Sequence, residues 1–117
     1  MVLAIVDDLM FASKIKTAAR QLGVTVAFAR SSADALAAMR ANTPALVILD
    51  LNNPRTDPLG TVAEMKRDPA TASIRTLGYV SHVETDLIEA ARQAGVDEVM
   101  ARSAFTAKLP EILSAAR

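Results

Sequence analysis

Four places in this 117-residue chain put reactive side chains at the end of an apolar run. Val2 to Val6 stops at Asp7-Asp8, Ala45 to Leu49 stops at Asp50, Thr76 to Val80 stops at Ser81-His82, and Asp97 to Ala101 stops at Arg102. Three carboxylates, a hydroxyl and a fixed cation support two kinds of chemistry. Clustered carboxylates repel one another, and a hard divalent cation relieves the repulsion; Mg²⁺ takes one or two of them and fills its shell with water. Asp8 and Asp50 are the candidates for direct ligands. A carboxylate also attacks phosphorus, giving an aspartyl phosphate, when a metal and a cation neutralise the transferred group. Asp50 is the candidate acceptor, with Ser81 available to one phosphoryl oxygen and Arg102 to another oxygen or to Asp50 itself.

These residues converge only if the chain folds to bring the ends of the runs together. The five aliphatics before Asp50 lack alternation, so they read as a strand buried on both faces. Val2 to Val6, Val24 to Phe28, Thr76 to Val80 and Asp97 to Ala101 read as four more strands. Gly78 weakens the fourth and predicts a closely packed neighbour.

Helical spacing fills the intervals. Phe11, Ile15, Ala18, Ala19 and Leu22 share one face before Gly23, and Leu36 and Met39 follow a cap at Ser31 or Ser32. Asp57 caps a helix with Pro58 in its first position and Leu59, Val62 and Met65 inward. Val83, Leu87, Ala91 and Ala94 line a fourth helix that Gly95 stops. Phe105, Leu109, Ile112, Leu113 and Ala116 line a fifth, in which Pro110 predicts a kink or a restart.

Five strands alternating with five helices predict a doubly wound α/β sandwich, a parallel sheet of order 2-1-3-4-5 over residues 1–117. Right-handed crossovers place all C-terminal strand ends on one edge, with the switch point between the two strands that end in carboxylates.

Composition narrows the function. Thirteen Lys and Arg balance thirteen Asp and Glu, which gives no net drive toward nucleic acid or an anionic membrane. No apolar run approaches the ~20 residues of a membrane span. Without cysteine there is no thiol nucleophile or thiolate metal site. The absence of a basic flank or cleavage site after Met1 predicts a cytoplasmic protein.

The acidic pair Asp7-Asp8, the stretch Leu49-Asp50-Leu51-Asn52-Asn53-Pro54, Ser81 and Gly95-Val96-Asp97-Glu98 together resemble the receiver domain of two-component response regulators, the CheY-like fold. The resemblance spans the whole chain. It implies a phosphorelay protein in which a sensor histidine kinase phosphorylates Asp50, and in which Asp7, Asp8, Asp50 and the backbone carbonyl of Asn52 organise Mg²⁺. It further implies that Ser81 contacts the phosphoryl group and that a downstream protein reads the result. The expectation is a single stand-alone receiver with no output domain. It would be a phosphoprotein rather than an enzyme, with homodimerisation through the fourth helix, fifth strand and fifth helix.

Departures from that pattern are specific. Arg102-Ser103 stands where the family has lysine and a cis-proline, and a guanidinium hydrogen-bonds differently from an ammonium. Val99 occupies the position of the family's switch aromatic, His82 replaces a small residue, and Asn53 replaces a common methionine. These substitutions favour a second reading, a pseudo-receiver that binds partners without phosphorylation. Each assignment also has a plain structural alternative: Asp7 and Asp8 as helix-dipole acids, Ser81 as a helix cap, Arg102 as a permanent pin on Asp50, His82 as a surface residue and Tyr79 as packing. A third class is poorly supported, because there is neither a flavin-phosphate loop nor an Asp-x-Asp phosphatase motif.

Overall fold

Why the runs before Asp8 and Asp50 are so uniformly apolar is clear from the sheet they occupy. The computed structural model describes residues 1–82 and 84–116. Its strands are β1 (Val2–Ile5), β2 (Val26–Ala29), β3 (Leu46–Asp50), β4 (Arg75–Val80) and β5 (Glu98–Ala101). They form one parallel sheet of order β2-β1-β3-β4-β5, as the alternation of elements predicts. The helices are α1 (Leu9–Leu22), α2 (Ser32–Ala41), α3 (Pro58–Arg67), α4 (Thr85–Ala94) and α5 (Arg102–Ala115), with a 3₁₀ turn at Pro54–Thr56.

Successive strand residues feed opposite faces. Val2, Ala4, Ile48, Leu77 and Tyr79 meet Phe11 and Ile15 of α1 and Phe105, Leu109 and Leu113 of α5. Leu3, Ile5, Val47 and Leu49 meet Met39 of α2, Val62 and Met65 of α3 and Ala91 of α4. β1 and β3 therefore have no polar face, and the first residue of β3 able to carry charge is Asp50, where the strand leaves the sheet.

Local signals set most boundaries. Asp8 begins α1, its Oδ1 accepting from the amides of Met10 and Phe11 at 3.0 and 3.2 Å, and Gly23 ends it in the left-handed region at φ 69°. Ser31 rather than Ser32 caps α2, accepting from the Asp34 amide at 3.1 Å. Asp57 caps α3 as predicted, from a left-handed backbone at φ 44°. The predicted neighbour of Gly78 is Leu51, whose Cδ1 lies 2.6 Å from where a Cβ on Gly78 would sit.

Four details differ from the sequence reading. β2 is shifted toward the C-terminus and ends at Ala29, which moves Arg30 to a strand tip. β5 ends at Ala101 as expected but starts at Glu98 instead of Asp97, and Arg102 follows it directly as the first residue of α5. Helix α4 starts at Thr85, so Ser81 does not cap it; Val83, expected on its inner face, lies outside the described residues. Helix α5 continues unbroken through Pro110 instead of restarting there, held on both sides by buried Leu109 and Leu113. No helix of the described residues is long and apolar enough to cross a membrane.

Candidate functional site at the carboxyl edge of the sheet

Asp50 closes β3 opposite Tyr79 of β4 in the parallel register. The adjacent residues Leu49 and Leu51 are buried, and Asp50 itself is half-buried where the strand surfaces. Its Oδ1 accepts from the Asn52 amide at 3.1 Å. Burial raises the Asp50 carboxyl above its ordinary value, and the charge of Asp8 adds to this, while the Asn52 amide and Arg102 oppose it. Asp8 and Asp50 thus sense each other across the β1–β3 switch point, as the topology requires.

Asp8 has two tasks. While Oδ1 caps α1, Oδ2 accepts from Nη2 of Arg102 at 3.3 Å. The Phe11 amide first, then the Met10 amide and Arg102, hold its carboxyl below the usual range against the opposing effect of burial. Arg102 therefore reaches the acidic edge, but its ion pair is with Asp8 and not with Asp50. The guanidinium also lies 4.1 Å above the Phe11 ring, a cation–π contact that a lysine makes less well. Its position at the start of α5, one residue beyond β5, aims it back across α1.

Asp7 is enclosed by cations. Its Oδ1 accepts from Nε of Arg30 at 3.1 Å and its Oδ2 from Nη1 of Arg55 at 3.2 Å. The hydrogen bond from Arg30 leads the causes that lower the Asp7 carboxyl, with Arg55 supporting it. Neither arginine stood out in the sequence. Arg30 was hidden by ending the second strand one residue early, and Arg55 sits in a three-residue 3₁₀ turn too short for any periodicity to show.

Asn52 contributes in a way the sequence did not suggest. Its side-chain Oδ1 accepts from the Ser81 amide at 2.6 Å and from the His82 amide at 3.4 Å. This ties the loop after β3 to the tip of β4. The Ser81 side chain is exposed beside it, and His82 is exposed as well. Val99 packs against the α3–α4 side of the core. The aromatic weight lies on the opposite face, where the Tyr79 ring is 4.9 Å from Phe11 and 5.0 Å from Phe105. Tyr79 is a packing residue, 1% exposed. Its hydroxyl is nevertheless buried with no hydrogen-bond partner among the described residues, and burial and the charge of Asp50 raise its pKa.

The donor set can be tested against Mg²⁺. Among the described residues no three His, Cys, Asp or Glu side chains gather as a metal cluster. Mg²⁺ needs fewer, commonly one or two carboxylates with waters. Asp8, capping α1 beyond the end of β1, and Asp50, at the end of the adjacent β3, supply two hard oxygen donors. Asp8 is 44% exposed and Arg102 38% exposed, so the pair between them is of the weak, solvent-screened kind that an ion can displace. The chemistry fits a divalent cation held by two carboxylates.

Comparison with known proteins identifies the family. The family model for the response regulator receiver domain matches residues 2–114. Among solved structures, the phosphorylated cyanobacterial phytochrome response regulator RcpA is 25% identical, with a TM-score of 0.77 over 97% of this chain and 88% of that one. The receiver domain of a sensor histidine kinase from Pseudomonas aeruginosa, with magnesium coordinated in its active-site cleft, is 18% identical at a TM-score of 0.84, covering 98% of this chain and 94% of that one. The Vibrio cholerae chemotaxis protein CheY4 is 16% identical at 0.85, covering 99% and 97%. A search of curated proteins finds no significant match. With the strand order, the acidic edge and a family match over nearly its full length, the chain belongs to the response regulator receiver domain family.

Proposed function

We propose that this receiver domain takes a phosphoryl group onto Asp50 from the phosphohistidine of a sensor histidine kinase in the cytoplasm. The observation that carries this is the Asp50 carboxylate itself. It is half-buried at a strand tip, with one oxygen oriented by the Asn52 amide and with Asp8, Arg102 and the Ser81 segment around it. In the transfer a carboxylate oxygen forms the new bond to phosphorus, the phosphorus–nitrogen bond of the donor breaks, and the released imidazole takes up a proton.

Each residue has a role in that step. The Asn52 amide fixes the orientation of Asp50, and the Asn52 side chain holds the Ser81 amide so that the exposed hydroxyl stands beside the incoming group. Asp8 and Asp50, with the Asn52 carbonyl, would hold Mg²⁺, whose charge neutralises the phosphoryl oxygens when bound. Arg102, released from Asp8, would pair with a phosphoryl oxygen.

Intact mass measured after incubation with Mg²⁺ and a small-molecule phosphodonor tests the reading. One phosphoryl adduct on the wild type and none on Asp50→Asn is the expected result; an unmodified wild type overturns it. The Arg102–Asp8 pair and the two arginines on Asp7 favour a second reading, a phosphorylation-independent interaction module. Under that reading Asp50→Asn leaves partner binding unchanged; under the first it abolishes phosphorylation-dependent binding.

A further inference from the structure

Three carboxylates at this edge face three guanidiniums, and the bonds between them account for nearly every acidic oxygen. Both oxygens of Asp7 are taken by Arg30 and Arg55, those of Asp8 by the α1 amides and Arg102, and Oδ1 of Asp50 by the Asn52 amide. Among the described residues, Oδ2 of Asp50 is the one oxygen of the six without such a bond. An acidic trio with no counterions attracts a divalent ion strongly. Here the attraction is already satisfied from within the chain.

We infer that the receiver neutralises its own acidic pocket, so that a divalent cation enters only by displacing Arg102 from Asp8, while Arg30 and Arg55 withhold Asp7 from it. This deepens the reading that Asp8 and Asp50 take Mg²⁺, and rests on it. The two devices differ in kind. Arg102 competes directly, because its guanidinium takes an acceptor site on Oδ2 of Asp8 and puts a positive charge where the metal would sit. Arg30 and Arg55 act by position: from the tip of β2 and the turn after β3 they cover a carboxylate that is 14% exposed, although their own side chains are 63% and 80% exposed. All three also add repulsion toward an arriving dication, which acts beyond contact distance.

Titration calorimetry with Mg²⁺ alone, on the whole chain at low ionic strength and without a phosphodonor, tests this. Arg102→Gln is expected to bind Mg²⁺ roughly tenfold more tightly than wild type, from the loss of one competing charge a few ångströms from the ion. Arg30→Gln with Arg55→Gln is expected to tighten binding further by freeing Asp7, and both replaced side chains are exposed enough to leave the fold intact. Adding Asp50→Asn to Arg102→Gln should remove the gain. In the wild type, Mg²⁺ should shift the NMR signals of the Arg102 Nε–H and the Phe11 ring as the guanidinium leaves.

Equal or weaker Mg²⁺ binding by Arg102→Gln, or no binding by any variant, overturns the inference. So does an Arg102 signal that Mg²⁺ saturates without moving. The phosphoryl adduct is a separate measurement. Its appearance together with an unchanged Mg²⁺ affinity would sink the self-neutralised pocket and leave Asp50 as acceptor.

Discussion

The side-chain Oδ1 of Asn52 accepts from the backbone amide of Ser81 at 2.6 Å, a bond between the loop that follows β3 and the tip of β4. The same residue donates its own amide to Asp50. One asparagine therefore couples the orientation of the carboxylate to the position of the hydroxyl segment. Replacing it with alanine removes the acceptor of the Ser81 and His82 amides while leaving the bond to Asp50 possible in principle. Asn52→Ala is expected to lower stability by about 1 kcal/mol, and hydrogen exchange at the Ser81 amide should accelerate. An unchanged exchange rate there would show that the side-chain bond does not hold the segment.

Ionised Asp50 carries a cost that depends on pH. Its folded pKa is raised, so the folded state binds its proton more tightly than the unfolded chain does. Such a group favours folding at low pH and loses that advantage as pH rises through its folded value. Asp50→Asn is therefore expected to raise Tm by roughly 2–5 °C at neutral pH, and the gain should vanish in acid, where wild-type Asp50 is protonated. Melting curves at pH 7 and near pH 3 check it; a gain that persists in acid would assign the effect to something other than charge.

Asp8 has the opposite sign. Its lowered carboxyl contributes stability above the unfolded pKa, and that contribution is lost as pH falls through the lower folded value. Asp8→Asn keeps an acceptor for the α1 amides and loses the charge toward Arg102. It should cost less than Asp8→Ala, which loses the cap too, on the order of 1 kcal/mol. Urea unfolding of the two variants separates the cap from the ion pair, and equal losses would mean that the cap contributes nothing.

Gly78 faces Leu51 across a gap that leaves no room for a methyl group. Gly78→Ala should destabilise by about 1–3 kcal/mol through overpacking, despite alanine's lower backbone entropy in the unfolded chain. The double variant Gly78→Ala, Leu51→Ala should recover part of this, measured as a coupling between the two sites. Strict additivity would argue against the contact.

Tyr79 gives a test in the other direction. Its buried hydroxyl has no partner among the described residues, and a buried polar group without one costs about 1–3 kcal/mol. Tyr79→Phe keeps the rings beside Phe11 and Phe105 and is expected to be neutral or stabilising. A loss above about 1 kcal/mol on denaturation would reveal a partner for the hydroxyl.

Much of this architecture was legible before any coordinates. Uninterrupted apolar runs ending in carboxylates mark strands buried on both faces, and Asp57-Pro58, Gly23 and Gly95 mark helix ends by backbone chemistry that is local in sequence. The convergence of Asp50 with Asp7 and Asp8 followed, because topology alone sends strand ends to one edge. What escaped were relations between side chains distant in sequence. Nothing around Arg30 or Arg55 indicates that both close on Asp7, and the asparagine matching a family metal carbonyl gave no hint that its amide side chain would bridge to Ser81. Arg102 was placed on the correct edge, with a phosphoryl oxygen or Asp50 as its expected partner, but its pair with Asp8 was not foreseen, since its reach depends on the first turn of α5 directing it across Phe11. Long flexible side chains choose partners by three-dimensional proximity, which periodicity does not encode.

The ring cluster under Arg102 also makes the molecule self-reporting. The chain has one tyrosine and no tryptophan, and that tyrosine packs against the phenylalanine on which the guanidinium rests. Its ultraviolet emission is thus uncontaminated by any indole and originates a single ring away from the group that pairs with Asp8. If a ligand displaces Arg102 from Asp8, the field on Phe11 and Tyr79 changes together, and a change in tyrosine emission on the unlabelled chain is the expected optical sign of it.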